Sequence, residues 1–277
     1  MRAVLDTFTE GYEMPARTIV FIHGMYMTPL CWEHWIPWFE KKGYRCIAPG
    51  WPGREASPQA LRAAHPDAVL GALTLQNVVD HLEGIIRKTG EKPVLIGHSM
   101  GALAAQLLLQ RGVASAVVAI DTAPPAGVFT PRWSFLKSNW PHITPFKRQD
   151  VPVQMTLKRF AYTFVHTLPP AQQQAVFDRY VVPESRRIPR QSLGRTARID
   201  FKAPHAPLLL IAGGQDHIIP ASLNQTNCRK YSDRGSVASF KEFPGRTHFI
   251  IGQENWQEVA QFAADWLEQN LGGSERS

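Results

Sequence analysis

Few cysteines and no long apolar run are present in this 277-residue sequence. Its three cysteines, Cys31, Cys46 and Cys228, are scattered and odd in number, so a disulfide framework is not predicted and a cytoplasmic location is the expectation. No eighteen apolar residues run together, which excludes a typical transmembrane helix. The first six residues also lack the apolar stretch of a signal peptide.

The sequence also lacks the patterns of several functional classes. The cysteines and the ten histidines show no zinc-site spacing, and we expect neither a metal nor a cofactor. The formal net charge is +7, and the excess of positive charge lies in one segment. Residues 132–202 hold 13 Lys/Arg against 4 Asp/Glu, and the remainder holds 17 Lys/Arg against 19 Asp/Glu. No helix-turn-helix, RNA-recognition or zinc-finger pattern accompanies this charge, so nucleic-acid binding is not predicted.

Short apolar runs alternate with helical patterns along the chain, and this alternation predicts βα units around a parallel sheet. Unbroken apolar runs are typical of strands that are buried on both faces. One helix is predicted to begin at Thr74, because apolar residues recur from Leu75 at helical spacing. The predicted strands are residues 18–22, 44–48, 93–96, 116–120, 207–211 and 238–241.

Residues 125–202 break this alternation. The segment is rich in proline, arginine and aromatic residues, among them Trp133, and two short helices are predicted over residues 153–165 and 170–181. A segment of this length between two strands is typical of a cap over an active site. The alternative is a structural excursion that makes no contact with substrate.

A Gly-His-Ser-Met-Gly pentapeptide at residues 97–101 follows the third predicted strand and precedes a helix. This context is that of a nucleophile elbow, in which a strained strand-to-helix turn exposes Ser99. Small residues on either side let the backbone bend tightly. The alternative is an ordinary serine that caps the helix.

Four further motifs accompany the pentapeptide along the chain. They are His23-Gly24, Gly50-Trp51-Pro52-Gly53, Gly213-Gly214-Gln215-Asp216 and Gly245-Arg246-Thr247-His248-Phe249. With these five motifs the chain resembles the α/β-hydrolase superfamily, in its capped branch. The resemblance implies an α/β fold with a mostly parallel central sheet flanked by helices and a helical cap inserted after the sixth core strand. The core domain would comprise residues 1–124 and 203–277, and the cap would comprise 125–202.

The resemblance implies Asp216 as the catalytic acid and His248 as the base, after Ser99 in the chain order expected for this fold. Asp121 also ends a predicted strand and is the rival for the acid. His98, inside the pentapeptide, is interpreted as a packing residue.

The oxyanion hole is expected to use the backbone N–H groups of Met100 and, after His23-Gly24, of Met25. For substrate binding, the sequence suggests an apolar pocket that could hold an acyl chain or ring. The candidates for this pocket are Gly24, Tyr26, Trp51 and Trp133.

Serine at the elbow argues against the family's dehalogenases and epoxide hydrolases, which use aspartate there. Hydrolysis of a small-molecule carboxylic ester, lactone or thioester through an acyl-Ser99 intermediate is the main hypothesis. The basic segment suggests an anionic substrate as a further hypothesis. The alternatives are a cofactor-free lyase or oxygenase that uses His248 without an acyl-enzyme, and a ligand receptor. The sequence leaves the oligomeric state open.

Overall fold

A computed structural model of the chain describes residues 17–143 and 148–271. Residues 1–16, 144–147 and 272–277 lie outside the described part, including those on which the signal-peptide expectation rests. The described residues contain one sheet of six strands, all of them parallel. The strands are β1 (Thr18–Ile22), β2 (Arg45–Ile47), β3 (Val94–His98), β4 (Ala116–Ile120), β5 (Leu208–Gly213) and β6 (Ala238–Phe243).

All six predicted strands are present, and the differences lie at their ends. Strands β1 and β4 have the predicted bounds, and β2 is shorter by one residue at each end. Strands β3, β5 and β6 each run two residues further than predicted. In β3 the apolar run stops before Gly97, but backbone pairing continues until His98 lies opposite Ile120. These extensions carry the chain directly to the loops that hold the candidate site residues.

The strand order β2-β1-β3-β4-β5-β6 creates a crevice at one edge of the sheet. The chain runs from β1 outward to β2 and then crosses over to form β3 on the other side of β1. Loops after β1 and β3 therefore diverge, and in open α/β sheets ligands bind at such a point. Ile22 lies opposite Gly97 in the register, so the loop after β1 starts beside the pentapeptide.

Helices pack on both faces of the sheet, as a buried parallel sheet requires. Helix α4 begins where predicted: Thr74 Oγ accepts from the N–H of Asn77 at 3.2 Å, and Asn77 Oδ1 accepts from the N–H of Thr74 at 3.1 Å. No helix of the described residues is long and apolar enough to cross a membrane. Outside residues 125–202, the α-helices of the described chain are α1 (Trp35–Glu40), α2 (Pro58–Ala63), α3 (Ala68–Ala72), α4 (Leu75–Lys88), α5 (Met100–Gln110), α10 (Ala221–Lys230) and α11 (Trp256–Leu271).

Residues 125–202, called the insertion below, hold four helices in their described part. Helix α7 is shorter than predicted, because Val153 instead forms an antiparallel bridge with Glu184. Helix α8 lacks only the last predicted residue. Helices α6 and α9 were not predicted, since each contains a proline, and proline normally predicts a helix end. The helices are α6 (Trp133–Ile143), α7 (Leu157–Phe164), α8 (Pro170–Tyr180) and α9 (Arg187–Gln191).

The insertion follows the fourth strand of the described sheet, whereas the resemblance counts it after a sixth. Hydrogen bonds join the insertion to the loops at the carboxyl ends of the strands. The N–H of Val182 donates to the carbonyl of Tyr26 at 2.9 Å, and the N–H of Phe249 donates to the carbonyl of Phe164 at 3.1 Å. The insertion thus lies over the crevice, while its boundaries at 125 and 202 stay a prediction.

Candidate active site

Ser99 occupies a tight turn between β3 and α5. Its φ of 56° and ψ of −121° are unusual for a residue other than glycine. The glycines on either side have no room for a side chain. A Cβ on Gly97 would lie 2.6 Å from the carbonyl oxygen of Gly101, and a Cβ on Gly101 would lie 2.3 Å from the carbonyl oxygen of His23. The Gly-x-Ser-x-Gly spacing is therefore a steric requirement of this turn.

A chain of hydrogen bonds leads from Ser99 to His248 and Asp216. His248 Nε2 lies 2.9 Å from Ser99 Oγ, and His248 Nδ1 lies 2.6 Å from Asp216 Oδ2. An ionised carboxylate only accepts, so Nδ1 of His248 donates and Nε2 remains free to accept from the serine hydroxyl. The His248 and Asp216 side chains are fully buried. Such an arrangement can remove the hydroxyl proton as the oxygen attacks a substrate.

The loops after two neighbouring strands, β5 and β6, hold Asp216 and His248. Asp216 lies in the loop after β5, where its Oδ1 accepts from the N–H groups of Ile218 at 2.7 Å and Ile219 at 2.9 Å. These bonds fix the carboxylate, so that Oδ2 faces the imidazole. His248 lies in the loop after β6, which packs so closely on β5 that a Cβ on Gly213 would come within 2.6 Å of a carbonyl oxygen of that loop.

Two further buried histidines bond to backbone carbonyls of the loops that form the site. His98 Nε2 lies 2.8 Å from the backbone carbonyl of His248, and burial together with the nearby His248 holds the pKa of His98 well below its usual value. His23 donates from Nδ1 to the carbonyl of Gly24 at 2.9 Å, and burial lowers the pKa of His23 to about 3. Both rings are therefore neutral near pH 7 and hold the backbone of the two loops.

Asp121, the rival acid at the end of β4, makes a different contact. Its Oδ1 accepts from the N–H of Gly213 at 2.7 Å, whereas the imidazole of His248 bonds to Asp216. Burial and the neighbouring Asp216 raise the pKa of Asp121 well above its usual value. One atom each of Asp121, His98 and His248 that could bind a metal ion lies within 4.8 Å of the other two. Because both ring nitrogens of His248 already face Asp216 and Ser99, we do not interpret this cluster as a metal site.

The raised pKa of Asp121 predicts a pH-dependent effect of Asp121→Asn on stability. Above the ordinary pKa of aspartic acid, about 3.9, the folded state keeps a proton that the unfolded state has lost. The free energy of unfolding therefore falls as the pH rises from about 4 to the folded-state pKa. Asparagine binds no proton, so the variant should escape this fall. Urea unfolding at a series of pH values measures it, and parallel curves for the two proteins would contradict the prediction.

The two residues expected to supply the N–H groups of the oxyanion hole border the same cavity as Ser99. Met100 is the first residue of α5, where an N–H has no acceptor within the helix. Met25 follows Gly24, whose hydrogen atoms face the serine: a Cβ there would lie 2.8 Å from the Ser99 Cβ. Glycine at position 24 thus lets the loop after β1 approach the serine, and both methionines border the same cavity.

The cavity over Ser99 is small and mostly apolar. Its volume is about 60 Å³. Its described lining contains no charged side chain, and its polar groups are those of Tyr26, Ser99, Asn139 and Ser192. The insertion contributes Phe135, Asn139, Phe164, Pro189, Ser192 and Leu193, and the rest of the chain contributes Met25, Tyr26, Ser99, Met100, Ala123, Pro124, Ile218 and Ile219.

Two of the four residues suggested for substrate binding lie elsewhere. Trp51 is fully buried and stacks on His23 with ring centroids 4.6 Å apart, and the backbone N–H of Trp51 donates to Nε2 of His23. Trp133 is 74% exposed and lines a separate surface groove. Tyr26 does line the cavity, and Gly24 acts through its close approach to Ser99.

The aromatic content of the insertion indicates an apolar pocket wall in general, but not which residues of the insertion line the cavity. In α6, Phe135 and Asn139 are one helical turn apart and face inward, while Trp133 faces out. The i, i+4 spacing of Phe135 and Asn139 is a usable signal, but it requires α6 to be recognised as a helix. Pro141 within α6 concealed it.

The fold and the motifs agree with known proteins. The sequence matches a model of the alpha/beta hydrolase family over residues 19–262. No curated protein matches it. The structure is similar to the monoacylglycerol lipase of Paleococcus ferrophilus, with a TM-score of 0.65 and 19% identity over 91% of this chain and 94% of that one.

Two further solved structures are similar at comparable distance. An extracellular alpha/beta-hydrolase from a Paenibacillus species has a TM-score of 0.66 and 19% identity, over 90% of this chain and 98% of that chain. A variant of tomato methylketone synthase I has a TM-score of 0.66 and 12% identity, over 93% of this chain and 100% of that chain. These identities establish the fold alone. The family model, which spans most of the sequence, establishes more: the chain belongs to the alpha/beta hydrolase family.

Proposed function

We propose that this protein is a serine hydrolase that cleaves carboxylic esters of a small, apolar acyl group through an acyl-Ser99 intermediate. The observation that carries the proposal is the hydrogen-bonded chain from Ser99 to His248 and Asp216, which opens into an apolar cavity. Serine is a weak nucleophile until a positioned base takes its proton, and here the base and its orienting carboxylate are both in place.

The first half of the reaction forms the acyl-enzyme. Ser99 Oγ attacks the ester carbonyl carbon as its proton moves to His248 Nε2, and the electron pair of the carbonyl double bond moves to oxygen. Asp216 stabilises the imidazolium that results. The tetrahedral intermediate then collapses, the carbon–oxygen bond to the alcohol breaks, and His248 returns the proton to the departing alkoxide.

The second half repeats these steps with water. His248 takes a proton from water, the hydroxide oxygen attacks the acyl carbon, and the Ser99 oxygen leaves with the proton from His248. In both halves the N–H groups of Met25 and Met100 would stabilise the oxyanion. A single such donor contributes about 10²- to 10³-fold to kcat in comparable sites.

The insertion acts as the cap in this proposal. Phe135, Phe164 and Leu193 cover the cavity and would contact the acyl group. The small volume favours short acyl chains, and the walls favour uncharged ones, because a charge moved into such a site loses its hydration. Preference for an anionic ester would then have to come from steering by the basic insertion, and it would weaken as salt is added.

Labelling with a fluorophosphonate tests the proposal directly. We expect one adduct per chain, mapped by mass spectrometry to Ser99, and none in Ser99→Ala. A panel of p-nitrophenyl esters from acetate to palmitate should then show the highest kcat/KM for the short acyl chains. One lactone, one thioester and one anionic ester, the last at two salt concentrations, complete the panel.

Two outcomes of this experiment would replace the proposal. Tight binding of a ligand with no turnover and no adduct would indicate a receptor. Cleavage of a carbon–carbon bond that persists in Ser99→Ala but stops in His248→Ala would indicate a lyase that uses His248 as a base without an acyl-enzyme.

A further inference from the structure

A buried carboxylate of the insertion reaches the loop after β1, in which Met25 is one of the two expected oxyanion donors. Glu184 is fully buried, and its Oε2 accepts from the N–H of Tyr26 at 3.3 Å. Its Oε1 accepts from the N–H of Ser185 at 2.7 Å and lies 2.8 Å from Nη2 of Arg54. Arg54 is also fully buried. The carboxylate therefore joins three separate segments of the chain at one point.

Tyr26 has a backbone conformation that needs outside support. Its φ of +64° lies in the left-handed region, which is strained for a tyrosine. Residues 182–184 hold both of its backbone groups: Glu184 accepts from its N–H, and its carbonyl accepts from the N–H of Val182 at 2.9 Å. The peptide that carries the N–H of Tyr26 begins at Met25, so the bond to Glu184 fixes the peptide next to the one that carries the N–H of Met25.

Arg54 holds the other side of the carboxylate. Its backbone N–H donates to the carbonyl of Trp51 at 2.9 Å, and the backbone N–H of Trp51 donates to Nε2 of His23, at the start of the loop after β1. A buried ion pair contributes little net stability, because desolvation offsets most of the attraction between its charges. A pair whose carboxylate bonds directly to the loop after β1 is better explained by the geometry that it imposes on that loop.

We infer that Glu184, together with Arg54, is a positioning residue that holds the loop of residues 24–27 so that the N–H of Met25 points at the oxyanion. This inference rests on the proposed function, in which that N–H stabilises the tetrahedral intermediate. Docking of residues 182–184 completes the oxyanion hole, so the insertion acts in catalysis as well as covering the cavity.

Glu184→Leu and Glu184→Gln test this role. We expect kcat for a short p-nitrophenyl ester to fall about 100-fold in Glu184→Leu, the effect of losing one oxyanion donor, with KM changed less than about threefold. Glu184→Gln retains an acceptor for the N–H of Tyr26, so its kcat should fall less than that of Glu184→Leu. A trifluoromethyl ketone, which binds serine as a tetrahedral oxyanion, should lose affinity in proportion to kcat, whereas the product acid should not.

Arg62→Met is the matched control. Arg62 donates to the carbonyls of Val181 at 2.8 Å and Asp178 at 3.0 Å, so this change also removes contacts between the insertion and the core, without touching Tyr26. We expect its kcat to stay within about threefold of the unmodified protein, at the level of a surface contact. If Glu184→Leu does not fold, Arg54→Met/Glu184→Leu removes both charges and leaves neither unpaired.

The outcomes separate this inference from the proposed function. Absence of ester turnover and of a Ser99 adduct in the unmodified protein overturns the proposed function and the inference with it. Turnover in the unmodified protein, with kcat nearly unchanged in Glu184→Leu or in the double variant, overturns the inference alone. An equal loss in Arg62→Met would reduce Glu184 to a general contact of the insertion and would also overturn it.

Discussion

Replacing Ser99 with alanine is expected to lower kcat for the preferred p-nitrophenyl ester by about a million-fold, as in other serine hydrolases that lose their nucleophile. The hydroxyl lies 2.9 Å from His248 Nε2, the atom that takes its proton in the proposed mechanism. Alanine leaves the cavity and the oxyanion donors intact, so a small residual rate above that of water should persist. Steady-state kinetics, with Ser222→Ala on the exposed face of α10 as the control, measure the loss.

The double variant Ser99→Ala/His248→Ala tests whether Ser99 and His248 act in the same step. If the two residues act as one unit, removing both should cost no more than removing either alone, because each is useless without the other. Losses that multiply would mean that His248 and Ser99 act in separate steps. A fall in kcat of less than about tenfold in Ser99→Ala would contradict an acyl-Ser99 intermediate altogether.

The sequence predicted the sheet and the position of Ser99 well because the same residues determine both. The apolar runs that form β1 and β3 end at glycines, and these glycines are required where two backbones meet: Gly24 and Gly97 each have a backbone or Cβ atom within 3.0 Å of where a side chain would begin. Local composition therefore carries the information about the fold and the elbow together.

The walls of the cavity could not be predicted in the same way. Trp133 was suggested for substrate binding because it is aromatic and lies in the insertion, but the rotation of α6 turns it outward and turns Phe135 inward. That rotation depends on packing between the insertion and the core, which no short sequence pattern records. Trp51 failed for a related reason, since its ring fills space behind His23.

Glu184 and Arg54 gave no signal at all in the sequence. Single charged residues are normally solvated, and these two are separated by 130 positions in the chain. Only the folded structure brings them within 2.8 Å of each other, and both side chains are buried there. Polar contacts between residues far apart in the chain are therefore the part of the candidate site that is hardest to predict from the sequence.

The choice between two carboxylates also needed the structure. Asp121 ends β4 and Asp216 follows the adjacent strand β5, so both reach the same edge of the sheet. The resemblance favours Asp216, but the position of Asp121 is compatible with the same role. Hydrogen bonds now give them different environments: Asp216 accepts from two N–H groups and from His248, while Asp121 accepts from Gly213 and favours its neutral form.

Asp216→Asn is therefore expected to lower kcat by about 10⁴-fold, and Asp121→Asn to change it by less than about threefold. An asparagine at position 216 can present its N–H₂ group to Nδ1 of His248, which favours the tautomer with its proton on Nε2, so that the imidazole cannot accept from Ser99. At position 121 the amide oxygen can still accept from the N–H of Gly213. Kinetics of the two variants side by side decide the matter, since each replaces one buried carboxyl group with an isosteric amide. The reverse order of effects would make Asp121 the acid and leave Asp216 as the residue that shapes its loop.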